Sequence, residues 1–436
     1  MLTSLSLPAD DGSKIAAPKK QAVPIAAESP GEWKKPDWLT EVSLTFRESY
    51  DSNVYYCNVP PLGNQDSMIS TINPKFGINF VPLLGIKDDG FEKLTLAYSP
   101  VINYYHAETS ENHTAHNIGN QIKGRVEDFS YDLNSLFMVV DGNDTSLAYP
   151  NGFNAYAPAP VIRNRRAQIA EIGKLTLRYD LNSDWFVRTV AQTVYQDFGV
   201  RMMSTVPGYL NFIDRYDVNV GPDIGYNVTK EFAVALGFRA GHQGQSMFDG
   251  GNAGASATSD NNNYMRALAG LEGKPWSWLQ LNVSAGPDFR HYGNDIPSNQ
   301  DRNFNRIYSD SRINFLVTKD DTISLLIKQW QWLSTTSVTP LEDETYRIGY
   351  KRQWTKEFSS EVFAQYGDYN YDTPLNRDDN VETYGLTLVY QFNKHITLDL
   401  GYSLDRGGSA YIPGATQPVG RDLTRHLATM GIKYSF

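Results

Sequence analysis

The sequence predicts an all-β chain, a transmembrane, antiparallel, up-and-down β-barrel of about 18 strands, with about 16 as the alternative count. Three observations predict it. Apolar and polar residues alternate with period two along most of the chain, very short polar turns alternate with long loops, and tryptophans gather at segment ends. In an up-and-down sheet, alternate connections lie at opposite ends, so short turns are expected on one, periplasmic, rim and long extracellular loops on the other.

The first segment to justify is the tail, residues 1 to 37, rich in Ala, Pro, Lys and Ser and without a hydrophobic period. It reads as a flexible lead-in, and "MLTSLSLPAD", with Ala9 before a cut, looks like the end of a secretory leader. Residues 38 to 436 then read as one barrel. Alternating segments are expected near 38–50, 71–82, 92–105, 117–129, 136–145, 166–179, 185–199, 214–227 and 232–243. The second half continues with 262–273, 278–291, 308–318, 322–334, 344–353, 357–370, 382–391, 396–406 and 424–436. Between alternate segments stand the short turns "GIKDDGFE", "SYDLNS", "RYDLNSDW", "YNVTKEF", "GKPWSW", "TKDD", "QWTKEF" and "QFNKH". The other connections are long, among them residues 148–164, 244–263 and 407–422, rich in Gly, Asn, Asp, Ser and Pro.

Two segments show the faces most cleanly. Tyr216, Val218, Val220, Pro222, Ile224 and Tyr226 alternate with Arg215, Asp217, Asn219, Gly221, Asp223 and Gly225. Leu279, Leu281, Val283, Ala285, Pro287 and Phe289 alternate with Gln280, Asn282, Ser284, Gly286, Asp288 and Arg290. The last eleven residues, "HLATMGIKYSF", set His426, Ala428, Met430, Ile432, Tyr434 and Phe436 on one face. That ending resembles the C-terminal signature of bacterial outer-membrane proteins, which implies the assembly machinery of that membrane as a partner. Trp185, Trp276, Trp278 and Trp354 sit at or beside short turns, as a membrane-interface belt requires, with Phe436 on the same rim. Trp330 and Trp332 fall at the opposite end of their segment and are read first as belt residues too.

Composition closes other routes. No run approaches the roughly 18 apolar residues of a transmembrane helix. One cysteine, Cys57, allows no intrachain disulfide, and a net charge of −10 argues against nucleic acid. The histidine-rich stretch "HAETSENHTAH" and the acidic "DGND" read as hydrated loop rather than metal sites. No nucleophile elbow, paired catalytic motif or phosphate loop occurs, so no catalytic residue, metal or cofactor is expected and the chain is read as a non-enzyme.

A barrel of about 16 to 18 strands encloses water. The candidate pore-lining residues are Arg125, Lys174, Arg178, Arg188, Arg215, Asp217, Asp223, Arg239, Arg266, Asp288, Arg290, Arg312, Arg347, Lys351, Arg425 and Lys433. With Glu127 and other polar-face residues included, the wall carries an excess of about eight positive charges. A basic lumen behind acidic loops suggests small, hydrophilic, anionic solutes.

The stretch "SLTFRESYDSNVYY", then "STINPKFGINF", with Asp51, Ser52, Asn53 and the pair Asn73, Pro74, resembles the beta-barrel porin 2 family of bacterial outer-membrane proteins. The resemblance implies an integral protein of the Gram-negative outer membrane, in contact with its lipid and lipopolysaccharide, and a channel for passive transport. It also implies polysaccharide export as an alternative, for which Trp330, Trp332, Phe363 and Gln365 are the aromatic and carboxamide candidates if they face inward. A structural or adhesive barrel acting through its loops is the third reading, and self-association into a homo-oligomer stays open.

Overall fold

The computed structural model describes residues 35–55, 64–86, 90–142, 167–198, 214–246, 261–293, 303–333, 340–371, 377–411 and 423–436. The leader-like start with Ala9, most of the lead-in, Cys57 and Asn143 and Asp144 of "DGND" lie outside the described residues.

The first nine strands are β1 (Leu39–Asp51), β2 (Ser67–Asn79), β3 (Phe91–Tyr105), β4 (His113–Val126), β5 (Phe129–Asp141), β6 (Gln168–Asp180), β7 (Trp185–Phe198), β8 (Asp214–Asn227) and β9 (Phe232–Ser246). The second nine are β10 (Asn262–Trp276), β11 (Leu279–Tyr292), β12 (Asn303–Leu316), β13 (Asp321–Leu333), β14 (Pro340–Gln353), β15 (Phe358–Tyr371), β16 (Arg377–Gln391), β17 (Ile396–Tyr411) and β18 (Leu423–Ser435). Each pairs antiparallel with its sequence neighbours, and β1 closes on β18 from Ser43 opposite Ser435 to Asp51 opposite Leu427. The sheet is therefore a closed barrel of 18 strands, and the count of 16 is excluded. The terminal Phe436 adds a last rung, its amide donating to the Val42 carbonyl at 3.0 Å, while its ring meets Tyr434 edge-on at 4.7 Å. Among the described residues helix is limited to one turn, α1 (Phe80–Leu83), and a 3-10 turn at Thr109–Glu111.

The short turns recur in sequence because they recur in mechanism. Asn182 Oδ1 accepts from the amides of Asp184 and Trp185, and Asn393 Oδ1 accepts from those of His395 and Ile396. Thr229, Thr318 and Thr355 do the same with their hydroxyls. A side chain that mimics the next backbone acceptor closes a four-residue hairpin without water. "SYDLNS" does not behave this way and is a correction: it runs inside β5, where Tyr131 to Asn134 pair with β4 and β6. The true turn is Glu127–Asp128, with Glu127 at φ +52°, so Glu127 leaves the wall assigned to it from sequence. Its polar pattern reads as a turn because β5 carries Asp132 and Asn134 on its inner face, where polarity is allowed.

The outer wall is apolar. Along β8 the burial alternates at every residue, with Tyr216, Val218, Val220, Ile224 and Tyr226 outside and Arg215, Asp217, Asn219 and Asp223 inside. Leu236, Ile307 and Met430 are 67%, 60% and 61% exposed, which no protein facing water on that side would tolerate in a continuous band. Trp185, Trp276, Trp278, Trp354 and Phe436 are all exposed at the short-turn rim, Trp276 and Trp278 stacked at 5.5 Å.

Inner aromatic rings lie over glycines of neighbouring strands. At Gly241 a Cβ would fall inside the Tyr264 ring, and at Gly385 inside the Phe363 ring. Gly241→Val is therefore expected to cost about 1–3 kcal/mol by overpacking. The check is a urea-unfolding midpoint in detergent micelles, where the variant should unfold at lower urea than the parent.

Candidate functional site

The interior face collects most of the cationic side chains carried by the strands. β6, β7 and β8 contribute Lys174, Arg178, Arg188 and Arg215, and cross-strand register sets Arg178 beside Arg188 and Arg188 beside Asp223. β9 to β11 add Arg239, Arg266 and Arg290, with Arg239 opposite Arg266 and Arg266 opposite Asp288. Side chains at such cross-strand positions meet on one face of the pleat. The like charges are separated by carboxylates. Asp223 sits between Arg188 and Arg239, Asp288 between Arg266 (2.9 Å) and Arg290 (2.8 Å), and Glu272 takes a second contact from Arg188 at 2.7 Å. Arg266 and Arg290 also lie over the Tyr264 ring, at 4.2 and 4.6 Å, and the Tyr264 hydroxyl donates to Asp217. Gln243 donates to Asp217 as well, and its side-chain oxygen accepts from Arg290.

A second network ties the closing seam. Arg425 holds Asp51 with two parallel bonds at 2.8 Å and reaches Asp405 at 3.1 Å, all three buried. Nearby, Arg47 pairs with Asp399, while Lys75 and Lys433 share Glu41. Asp51 also accepts from the Asn53 amide, so the stretch "YDSN" fixes the first loop onto the seam.

The remaining sequence candidates are placed as follows. Arg125 and Arg178 both hold Asp180 at 2.7 Å, beside a cavity of about 400 Å³ lined by Lys123, Ser130, Asp132 and Thr176 at the short-turn end. Arg347 pairs with Glu361 and lies 3.8 Å over Phe363. Lys174, Arg215, Arg312 and Lys351 form no salt bridge with any described residue. Sequence reasoning missed Arg306 and the inward carboxylates Asp51, Asp132, Asp180, Asp343 and Asp379, whose strand ends fell outside the expected segments or on the wrong parity. Counting them narrows the positive excess of the interior but keeps its sign.

The interior is not uniform along the barrel axis. Toward the short-turn rim the side chains stand open, as at Lys75, Arg347 and Lys351. Toward the loop rim they are packed, with Gln243, Asn262, Tyr264, Tyr292, Gln331 and Leu333 all almost fully buried. The cause is a departure from the plain barrel. The β12–β13 ladder ends at Ser309 opposite Gln329, although β13 runs on to Leu333 and stays paired with β14. The end of β13 leaves the wall and crosses to β8 and β9: the Leu333 carbonyl accepts from Arg215, and the Gln331 carbonyl accepts from Gln243 at 3.2 Å. On the far side Arg306 of β12 holds Glu342 of β14 at 3.1 Å.

This corrects the belt reading of Trp330 and Trp332. They face the interior, stacked 5.2 Å apart and nearly parallel, with Lys328 3.7 Å over Trp330 and Arg215 4.6 Å over Trp332. Trp330 Nε1 donates to Asp343 at 3.1 Å. Their position at a strand end was the belt signal, and nothing in the sequence marks that this strand end turns inward. The histidine-rich stretch is divided by the wall: His113 is buried inside, while His116 bonds the Tyr98 hydroxyl and His106 bonds Ser70 on the outside. Glu108 accepts from the Tyr55 hydroxyl, whose pKa burial and that carboxylate push up to about 12.

No family model matches the chain, and no curated protein matches it. Among solved structures, OccK2 (OpdF) of Pseudomonas aeruginosa in complex with glucuronate is 8% identical over 91% of this chain and 98% of that one, with a TM-score of 0.45. OpdK of Pseudomonas aeruginosa with vanillate is 10% identical over 91% and 98%, TM-score 0.42. OccAB3 of Acinetobacter baumannii gives the same identity, coverage and score. The likeness is one of barrel architecture and assigns no residue.

Arg425→Met, which strands Asp51 and Asp405 without their cation, is expected to destabilise the barrel by about 3–5 kcal/mol. Replacing Asp51 and Asp405 by Asn in the same chain should recover part of that loss, measured by urea unfolding of the single and triple variants.

Proposed function

We propose that this protein is an integral channel of the bacterial outer membrane, passing small hydrophilic solutes with a preference for anions. The observation that carries the reading is a closed 18-stranded wall, apolar outside and lined inside by cations, several of which form no salt bridge with a described residue. Closure satisfies the strands' backbone within the sheet, except where the end of β13 leaves β12 toward the loop rim, as a bilayer demands, and the exposed tryptophan rim matches an interfacial belt. Lys174, Arg312 and Lys351 make no salt bridge with a described residue and add positive potential along the path, which concentrates anions in a low-dielectric channel. Residues 38–436 are the barrel in this reading and residues 1–37 a lead-in. The resemblance to the beta-barrel porin 2 family points to the same class.

Polysaccharide export is the second reading. Trp330, Trp332, Phe363 and Gln365 all lie on the interior strand faces, as that reading requires. A sugar platform, however, needs a free aromatic face. Cations lie over Trp330, Trp332 and Phe363, so the small-anion reading is the better supported.

Reversal potentials in planar bilayers under a KCl gradient test the proposal. Chloride should be preferred over potassium, and the pair Lys174→Gln and Lys351→Gln should lower that preference by about twofold. Cation preference in the parent protein would refute it.

A further inference from the structure

Arg215 is unusual among the interior arginines. It is 8% exposed, yet its described partners are neutral: the Gln196 side-chain oxygen at 3.0 Å, the Leu333 carbonyl and the Trp332 ring. Asp343, an interior carboxylate on the same hairpin, is engaged by Trp330 Nε1 and by the Thr345 hydroxyl at 3.1 Å. Every other buried arginine of the described interior, at 239, 266, 290 and 425, has a carboxylate in direct contact. A buried guanidinium that no carboxylate touches, with Asp343 acting on it only from a distance, is a poor resting partner for a peptide carbonyl and a strong one for an incoming carboxylate, which it grips with two parallel bonds.

What Arg215 holds is the end of β13, the segment that has left the wall. That segment is under-satisfied where it sits. Among the described residues, neither the nitrogen nor the oxygen of the Gln331 side-chain amide, 1% exposed, finds a hydrogen-bond partner, and Asn219 Oδ1, Arg266 Nη2 and Asp288 Oδ1 are likewise buried without one. Unbonded buried polar atoms favour any arrangement that returns them to water. Two arrangements of this strand end are chemically accessible: latched to β8 and β9 across the lumen, or zipped onward along β12, whose residues Asn305 to Tyr308 are not paired with the described end of β13 in the ladder.

We propose that Arg215 is an anion-responsive latch: a small carboxylate solute competes with the Leu333 carbonyl and the Trp332 ring for the guanidinium, releases the end of β13, and so widens the passage it then uses. The inference rests on the channel reading above. The ligand shifts the equilibrium because it binds Arg215 only when the strand end has let go, so its differential affinity is the whole of its effect. Neutral solutes have no such leverage.

The test is single-channel recording in KCl with sodium succinate as the probe, on the parent protein, Arg215→Gln and Trp332→Ala. In the parent, succinate should raise the occupancy of a larger conductance level by about tenfold. Both variants, which undo the latch from opposite sides, should occupy that level without succinate and respond no further to it. If either variant conducts and responds to succinate as the parent does, the latch is wrong while the channel reading stands. Absence of current from the parent and from both variants would defeat the channel reading itself, and the latch with it.

Discussion

Everything in this structure depends on the ladder between β1 and β18. Until Ser43 to Asp51 pair with Ser435 to Leu427, the sheet has two edges, and no other strand pair has anywhere to go. An open edge of 13 residues exposes a row of unpaired amides and carbonyls that neither lipid nor a packed core can satisfy. The seam is accordingly reinforced from inside, by the buried Arg425–Asp51–Asp405 group and the Glu41 pair of lysines, and from the rim by the Phe436 amide. The alternating C-terminal strand and the "YDSN" stretch after β1 are thus two halves of one closing joint.

Closure converts a sequence alternation into two solvents. The outer rows carry mainly Leu, Ile, Val, Phe and Tyr with few charges, such as Glu48 and Glu171, and the inner rows carry arginines spaced by single carboxylates. Pairing Asp223 and Asp288 each with two arginines keeps those guanidiniums ordered while leaving net positive charge, a compromise between the cost of bare buried cations and the field a lumen needs. The long side chains lie over aromatic rings, which fix their direction without neutralising them.

Most of the fold was legible in the sequence, because a barrel strand is a local object: period two, a turn of Asn or Thr, period two again. All 18 segments were found, and residues such as Arg215, Asp223, Asp288 and Arg290 could be set on one face by parity alone. The errors have physical causes. "SYDLNS" looks like a turn because an inward row is as polar as a loop, and only pairing with both neighbours distinguishes them. Strand ends were drawn short at β12, β14 and β16, whose outer ends carry Arg306, Asp343 and Asp379 beyond the apolar band, so polarity gives no boundary there. The inward course of Trp330 to Leu333 was illegible, since it depends on contacts with β8 and β9, about a hundred residues away in sequence.

The central claim, a closed wall with lipid on one side and water on the other, is tested most directly by single cysteines at positions 348 to 351 in a Cys57→Ser background, reconstituted in vesicles and treated with a charged, water-soluble thiol reagent. Register places Gly349 and Lys351 inside and Ile348 and Tyr350 outside. The structure predicts labelling at 349 and 351 only. Equal labelling at all four positions, or labelling at 348 and 350 alone, would contradict it.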